Sequence, residues 1–207
     1  MFLELFRDGS ARDVTSFSPV SLSTPPSRLR IITGTSTMVA GFAWVAKDVG
    51  GRVSPDPDYW DCNSSYDYLL NGVDTVAFLI LALALLGLRA LFRDEIGNRG
   101  AWIGAASAGG LGVAGLANLL EHCAGLDALG LAYVIGLILG MFLLVGFTLT
   151  LRRAPIAPWL VGLLLLGTIA GIVLAEQGGY IAFGSAWLVF GVVLIRRSGS
   201  MDGASAG

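Results

Sequence analysis

Long apolar runs, almost free of charge and bounded by arginine, proline or glycine, restrict the fold of this chain more than any other feature. A helix needs about 20 apolar residues to cross the hydrocarbon core of a bilayer. Inside that core every backbone N–H and C=O must be satisfied within the protein, which leaves helices and closed barrels as the spanning forms. Six runs are readable, over residues 31–46, 73–92, 101–120, 128–151, 156–175 and 179–195. The first is the weakest, being short and rich in Thr33, Thr35, Ser36 and Thr37. A helix can hold such hydroxyls by bonding them back to its own carbonyls. Arg89 can extend from the second run to the near interface, and Pro155 and Pro158 fall at the start of the fifth, where a helix tolerates proline. The pattern predicts an all-α integral membrane protein, a polytopic bundle of six transmembrane helices.

Charge content agrees. Charged residues make up 14% of the chain and the mean hydropathy is +0.74, whereas a soluble domain carries roughly 25% charge. A charge at mid-helix in lipid costs on the order of 2.5–3.5 kcal/mol, so the deficit is what a bilayer requires. Ala, Gly and Leu abound, and Lys47 is the lone lysine among the basic residues, a composition suggesting a high-GC bacterium and hence its cytoplasmic membrane.

Residues 1–30 read as a largely disordered cytoplasmic segment. Glu4 interrupts the apolar start and no run of leader length follows. The Ser/Thr/Pro stretch from Asp13 to Ser27 cannot bury a core. Residues 31–197 form the transmembrane domain, with an external loop over 47–72, and residues 198–207 read as a flexible tail.

The arginines set the expected orientation. With the N-terminus inside, the cytoplasmic segments hold eleven bases: Arg7, Arg12, Arg28, Arg30, Arg89, Arg93, Arg99, Arg152, Arg153, Arg196 and Arg197. Lys47 and Arg52 alone fall outside. The positive-inside rule therefore puts both termini in the cytoplasm, and it also requires the weak first span.

Small residues recur every four positions at Gly104, Ala108 and Gly112, at Gly136 and Gly140, and at Gly167 and Gly171. This spacing lets membrane helices approach closely. Contact within one bundle explains it more simply than a homodimer seam does, because several helices share it. A faint echo links Leu119-Leu120-Glu121-His122 to Leu174-Ala175-Glu176-Gln177. Trp102 and Trp159 precede the two stretches, and Arg152-Arg153 and Arg196-Arg197 follow them. Chance likeness between apolar helices accounts for it as readily as duplication does.

Two constellations could carry chemistry. Cys62 and Cys123 both fall on the expected outer side, where disulfides form and persist. A bridge there would pin the 47–72 loop to the bundle. A redox pair is the lesser reading, since C-x-x-C is missing. Asn118, Glu121 and His122 lie at i, i+3 and i+4, one helix face, at the outer end of the third span. Asp74, Glu176 and Gln177 lie at similar depth, so these six residues form a candidate outer polar pocket in which Glu121 and Glu176 pair with His122 or a cation. Carboxylates at helix ends facing water or headgroups are the plainer reading. The aromatic stretch Tyr59, Trp60, Tyr66 and Tyr68 fits an interfacial belt better than a partner surface, and Asp56, Asp58 and Asp61 do not match an EF-hand.

A single histidine disfavours bis-His haem and His-based zinc sites, and Lys47 at a helix end disfavours a retinal Schiff base. G-x-S-x-G, H-E-x-x-H and the P-loop are missing. No run carries a deep charge, which disfavours a proton-driven transporter with a midplane site. No cofactor, metal or nucleic-acid partner is expected; the expected partners are membrane lipids and other subunits or a second copy. The favoured reading is a non-enzymatic accessory or assembly subunit. A small cation or solute channel or transporter with an acidic vestibule comes second, and an outer-leaflet enzyme using Glu121 and His122 third.

Overall fold

The computed structural model describes residues 26–54 and 62–204, with side chains over 27–54 and 62–196. Six helices follow one another: α1 (Pro26–Val53), α2 (Ser65–Leu91), α3 (Arg93–Ala124), α4 (Gly130–Thr150), α5 (Pro158–Val173) and α6 (Gly179–Ala204). Single 3-10 turns lie at Asp127–Leu129, Leu151–Arg153 and Ala175–Gln177. Among the described residues there is no strand.

Each helix packs on its neighbours in sequence, and α6 returns onto α1 to close a ring. The α4–α5 joint is the thinnest. The interior is apolar at mid-depth, filled by Leu81, Leu85, Leu111, Leu144, Phe147, Leu164, Trp187 and Phe190, all fully buried. Large apolar side chains also point outward, among them Phe42, Leu83, Phe142 and Leu166, each more than 60% exposed. Apolar atoms on both faces of a helix are stable only where the surroundings are themselves apolar. Five helices are long and apolar enough to cross a membrane, so the fold is that of a multi-pass helical membrane protein.

The helix that falls short of that length is not the first. α1 is 28 residues long, and one of its hydroxyls is absorbed in the expected way: Thr37 Oγ1 donates to Thr33 O at 2.6 Å. α5 has 16 residues, about 24 Å at 1.5 Å per residue. Pro158 at its first turn sets where it begins, and Gly178, at φ 98°, turns the chain beyond its end. Other boundaries also move. Residues 26–30 are helical, so the N-terminal segment read as disordered ends by Pro26; residues 1–25 lie outside the described part. α6 continues through 198–204, where a loose tail was expected; elongating an existing helix is far easier than nucleating one.

The recurrent glycines face the bundle's own helices. A Cβ on Gly104 would meet Phe147, one on Gly136 would meet Gly110 O at 2.8 Å, and one on Gly167 would meet Ala186 Cβ at 2.7 Å. Gly112 has nothing within 4 Å. The tightest seam has a different spacing. Gly34 and Gly41 of α1 face Gly191 and Gly184 of α6, backbone against backbone, with a Cβ on Gly191 placed 2.6 Å from Gly34 O. Both pairs are seven residues apart, two helical turns, and the four-residue pattern gives no hint of them.

Candidate functional site

Antiparallel neighbours place the ends of α1, α3 and α5 beside the starts of α2, α4 and α6. At that end Cys62 and Cys123 stand at disulfide distance, Cα to Cα 4.9 Å, and Cys62 N donates to His122 O at 3.4 Å. The link between α1 and α2 is thereby tied to the end of α3. It is shorter than the 47–72 loop read from sequence, because α1 reaches Val53 and α2 starts at Ser65. Tyr59, Trp60 and Asp61 lie outside the described residues.

The early start of α2 has a local cause. Ser64 caps the helix: Asp67 N donates to Ser64 Oγ at 3.2 Å, while Ser64 N donates to Asp67 Oδ2 at 2.8 Å. This reciprocal box satisfies two of the N–H groups that a helix start leaves open. It also brings Asp67, Asn71 and Asp74 (i, i+4, i+7) onto one inward face of α2, and all three are buried. Asn71 Nδ2 donates to Asp67 O at 3.1 Å, and Asn118 Nδ2 of α3 donates to Asn71 Oδ1 at 3.4 Å.

Opposite Asp74 stands Lys47 of α1, its Nζ 3.7 Å from Asp74 Oδ1, with both side chains almost wholly buried. Lys47 Nζ also lies 4.8 Å from the ring centre of Tyr180 and 5.9 Å from that of Trp44. An ammonium over aromatic faces is attracted by their quadrupoles. The expectation that Lys47 marks a helix end and that no deep charge exists is therefore corrected: α1 continues another turn and a half, carrying Lys47 inside the bundle. Asp48 and Arg52 fasten the same stretch. Ile181 N donates to Asp48 Oδ2 at 3.2 Å, at the start of α6, where the helix dipole favours a carboxylate. Arg52 Nε lies 3.4 Å from Asp48 Oδ1, and Arg52 Nη2 donates to Glu176 O at 3.1 Å.

Of the six residues grouped from sequence, Asp74 and Asn118 are buried in this cluster. Glu121 and His122 sit half-buried beside it, His122 Nε2 3.9 Å from Glu121 Oε2. The His122 ring meets Tyr133 of α4 edge-on, centres 6.3 Å apart. Glu176 and Gln177 are exposed. Glu176 reaches the site only as part of the wall of an open cleft of about 520 Å³, lined also by Lys47, Asp48, Arg52, Tyr133 and Tyr180. Among the described residues no group of three or more His, Cys, Asp or Glu side chains could hold a metal ion. Sequence reading missed Lys47, Asp48, Asp67 and Asn71. The signal for the α2 pair was present, since Ser64-x-x-Asp67 is a helix-start signature and would have moved the helix back to include them.

The other end carries the arginines. Arg28 and Arg30 open α1, Arg89 and Arg93 flank the α2–α3 turn, and Arg152 and Arg153 follow α4. The fold and site together define a class, a multi-pass helical membrane bundle with a buried charge pair under a disulfide-tied link. Comparison with protein-family models, with curated proteins and with solved structures finds no match.

Proposed function

We propose that the protein is a six-span accessory subunit of an assembly in a bacterial cytoplasmic membrane, with both termini inside, and that it engages its partner at the disulfide end. One observation carries this reading: buried charge is concentrated beneath the disulfide, in Lys47, Asp48, Asp67 and Asp74. A conducting path needs polar groups along its length, and the ring at mid-depth is filled by leucine and aromatic side chains. The hydroxyls buried there are partly consumed locally, Ser107 Oγ donating to Gly140 O at 2.8 Å and Thr168 Oγ1 to Leu164 O at 2.7 Å. The orientation rests on the arginine count and on the disulfide, which belongs in an oxidising compartment.

The test is native mass spectrometry of the protein extracted gently from its host membrane. A second protein held in fixed ratio is the expected result; the chain alone, or only copies of itself, overturns the reading. A solute transporter is the second reading, favoured by the cleft that reaches Lys47. It requires flux in proteoliposomes that Lys47→Met abolishes.

A further inference from the structure

Charge beneath the disulfide is compensated unevenly. Asp48 pairs with Arg52, and Asp74 faces Lys47. Asp67 lies seven residues before Asp74, about 10 Å from it along α2 at 1.5 Å per residue. Among the described residues it has no cationic partner, yet it is only 1% exposed. One of its carboxylate oxygens, Oδ2, accepts from Ser64 N at 2.8 Å, and the start of α2 adds a partial positive charge. The other oxygen, Oδ1, is buried and accepts no hydrogen bond. A buried carboxylate is stable when it is paired or coordinates a cation.

A second unanswered oxygen belongs to the same cluster. Asn118 of α3 is 0% exposed, and its Nδ2 donates to Asn71 Oδ1 at 3.4 Å, so its carboxamide reaches the α2 face that carries Asp67. Its own Oδ1 is buried and accepts no hydrogen bond. Asn71 links the two, since its Nδ2 donates to Asp67 O at 3.1 Å. The unanswered atoms are therefore oxygens, the ligand type that hard cations prefer. Among the described residues no group of three or more His, Cys, Asp or Glu could hold a metal ion, so the set is not of the zinc kind. Its single carboxylate balances one positive charge. A divalent ion would leave a surplus in a buried region that already holds Lys47. Buried water can satisfy the two oxygens but leaves the charge on Asp67 uncompensated.

We propose that Asp67 and Asn118 bind one alkali cation through their unanswered Oδ1 atoms, and that this ion clamps α2 to α3 beneath the disulfide. The carboxylate supplies the charge and the carboxamide a neutral oxygen from the facing helix. Asn71 holds both side chains in register. The site needs no protein partner, so it stands or falls apart from the accessory reading.

The test is thermal unfolding of the full chain in one detergent, with sodium or potassium chloride exchanged for choline chloride at fixed ionic strength. A melting temperature that rises with the alkali ion and saturates is expected, because a ligand held by the folded state alone stabilises it by mass action. Asp67→Asn keeps an oxygen for the Ser64 N–H and removes the charge. It should raise the half-saturating concentration about tenfold or more, as loss of one charge-assisted contact implies. Asn118→Leu should raise it as well, by removing the oxygen from α3. Sodium NMR of the parent protein reads binding without any variant: its sodium line should be broader than that of empty micelles, and potassium should reverse the broadening. Equal melting in sodium, potassium and choline overturns the proposal, as does a line no broader than that of empty micelles. A half-saturating concentration unchanged in both variants moves the ion elsewhere and overturns the assignment to Asp67 and Asn118. Calcium that saturates at lower concentration than either alkali ion overturns the monovalent assignment.

Discussion

Lys47→Met is the most informative single change. It keeps the length of the side chain and removes the charge that faces Asp74 across 3.7 Å, in a pair whose side chains are 6% and 2% exposed. At that separation an effective dielectric of 20 gives an attraction of about 4.5 kcal/mol. Removing one partner of a buried pair costs about 3–5 kcal/mol, because the charge left behind has lost its compensation. Replacing both partners is far milder. Lys47→Met and Asp74→Asn should therefore each destabilise by about 3 kcal/mol or more. The double variant should fall short of the sum by a coupling term of similar size. For a chain of this length such a loss lowers the melting temperature by on the order of 10 °C. The assay is thermal unfolding in one detergent, followed by the fluorescence of Trp44 and Trp187, both buried; Trp44 lies beside the pair. Single variants that melt within about 1 °C of the parent, or a double variant equal to the sum of the singles, would refute the reasoning. Either result would mean that water in the cleft already screens Lys47.

Other expectations follow from particular residues. Gly41→Ala sets a Cβ 2.6 Å from Leu188 N and 3.1 Å from its Cα; backbone cannot step aside as a side chain can, so a loss of about 1–3 kcal/mol is expected. Gly112→Ala, with nothing within 4 Å, should leave both melting and oligomeric state unchanged, and a loss of self-association in cross-linking would revive a homodimer seam on that face. Gly97 has open space but stands at φ 68°, ψ 176°, a region essentially restricted to glycine, so Gly97→Ala should cost about 1–3 kcal/mol despite the room. The Cys62–Cys123 bridge closes a separation of 61 residues, worth at most about 4 kcal/mol by loop-closure entropy. Unreduced protein should resist alkylation at both positions by intact mass, and two freely alkylated thiols would exclude the bridge. Reporter fusions after residues 54 and 125 should read external, and one after residue 153 cytoplasmic; the opposite pattern would overturn the proposed orientation.

Helix class, membrane habitat and rough span positions were legible in the chain, because they depend on what a bilayer does to any peptide. Uncharged runs such as 101–120 must be helical to satisfy their backbone, and runs of that kind are recognisable one at a time. The cysteine pairing was legible for the same reason: topology alone put Cys62 and Cys123 on one side. What tertiary structure decided was which neighbours meet. Lys47 reads as a loop residue when the apolar run is counted, since hydropathy cannot credit a charge whose partner sits on another helix. Only the packing of α1 against α2, and of Tyr180 and Trp44 around the ammonium, makes its burial tolerable and lets α1 continue to Val53. The seven-residue spacing of Gly34–Gly41 and Gly184–Gly191 gains meaning in the same way, once α6 closes onto α1. Hydropathy is a property of one segment and its solvent, so sequence suffices for it. Charge compensation and close backbone approach are properties of pairs, and only the folded arrangement determines the pairs.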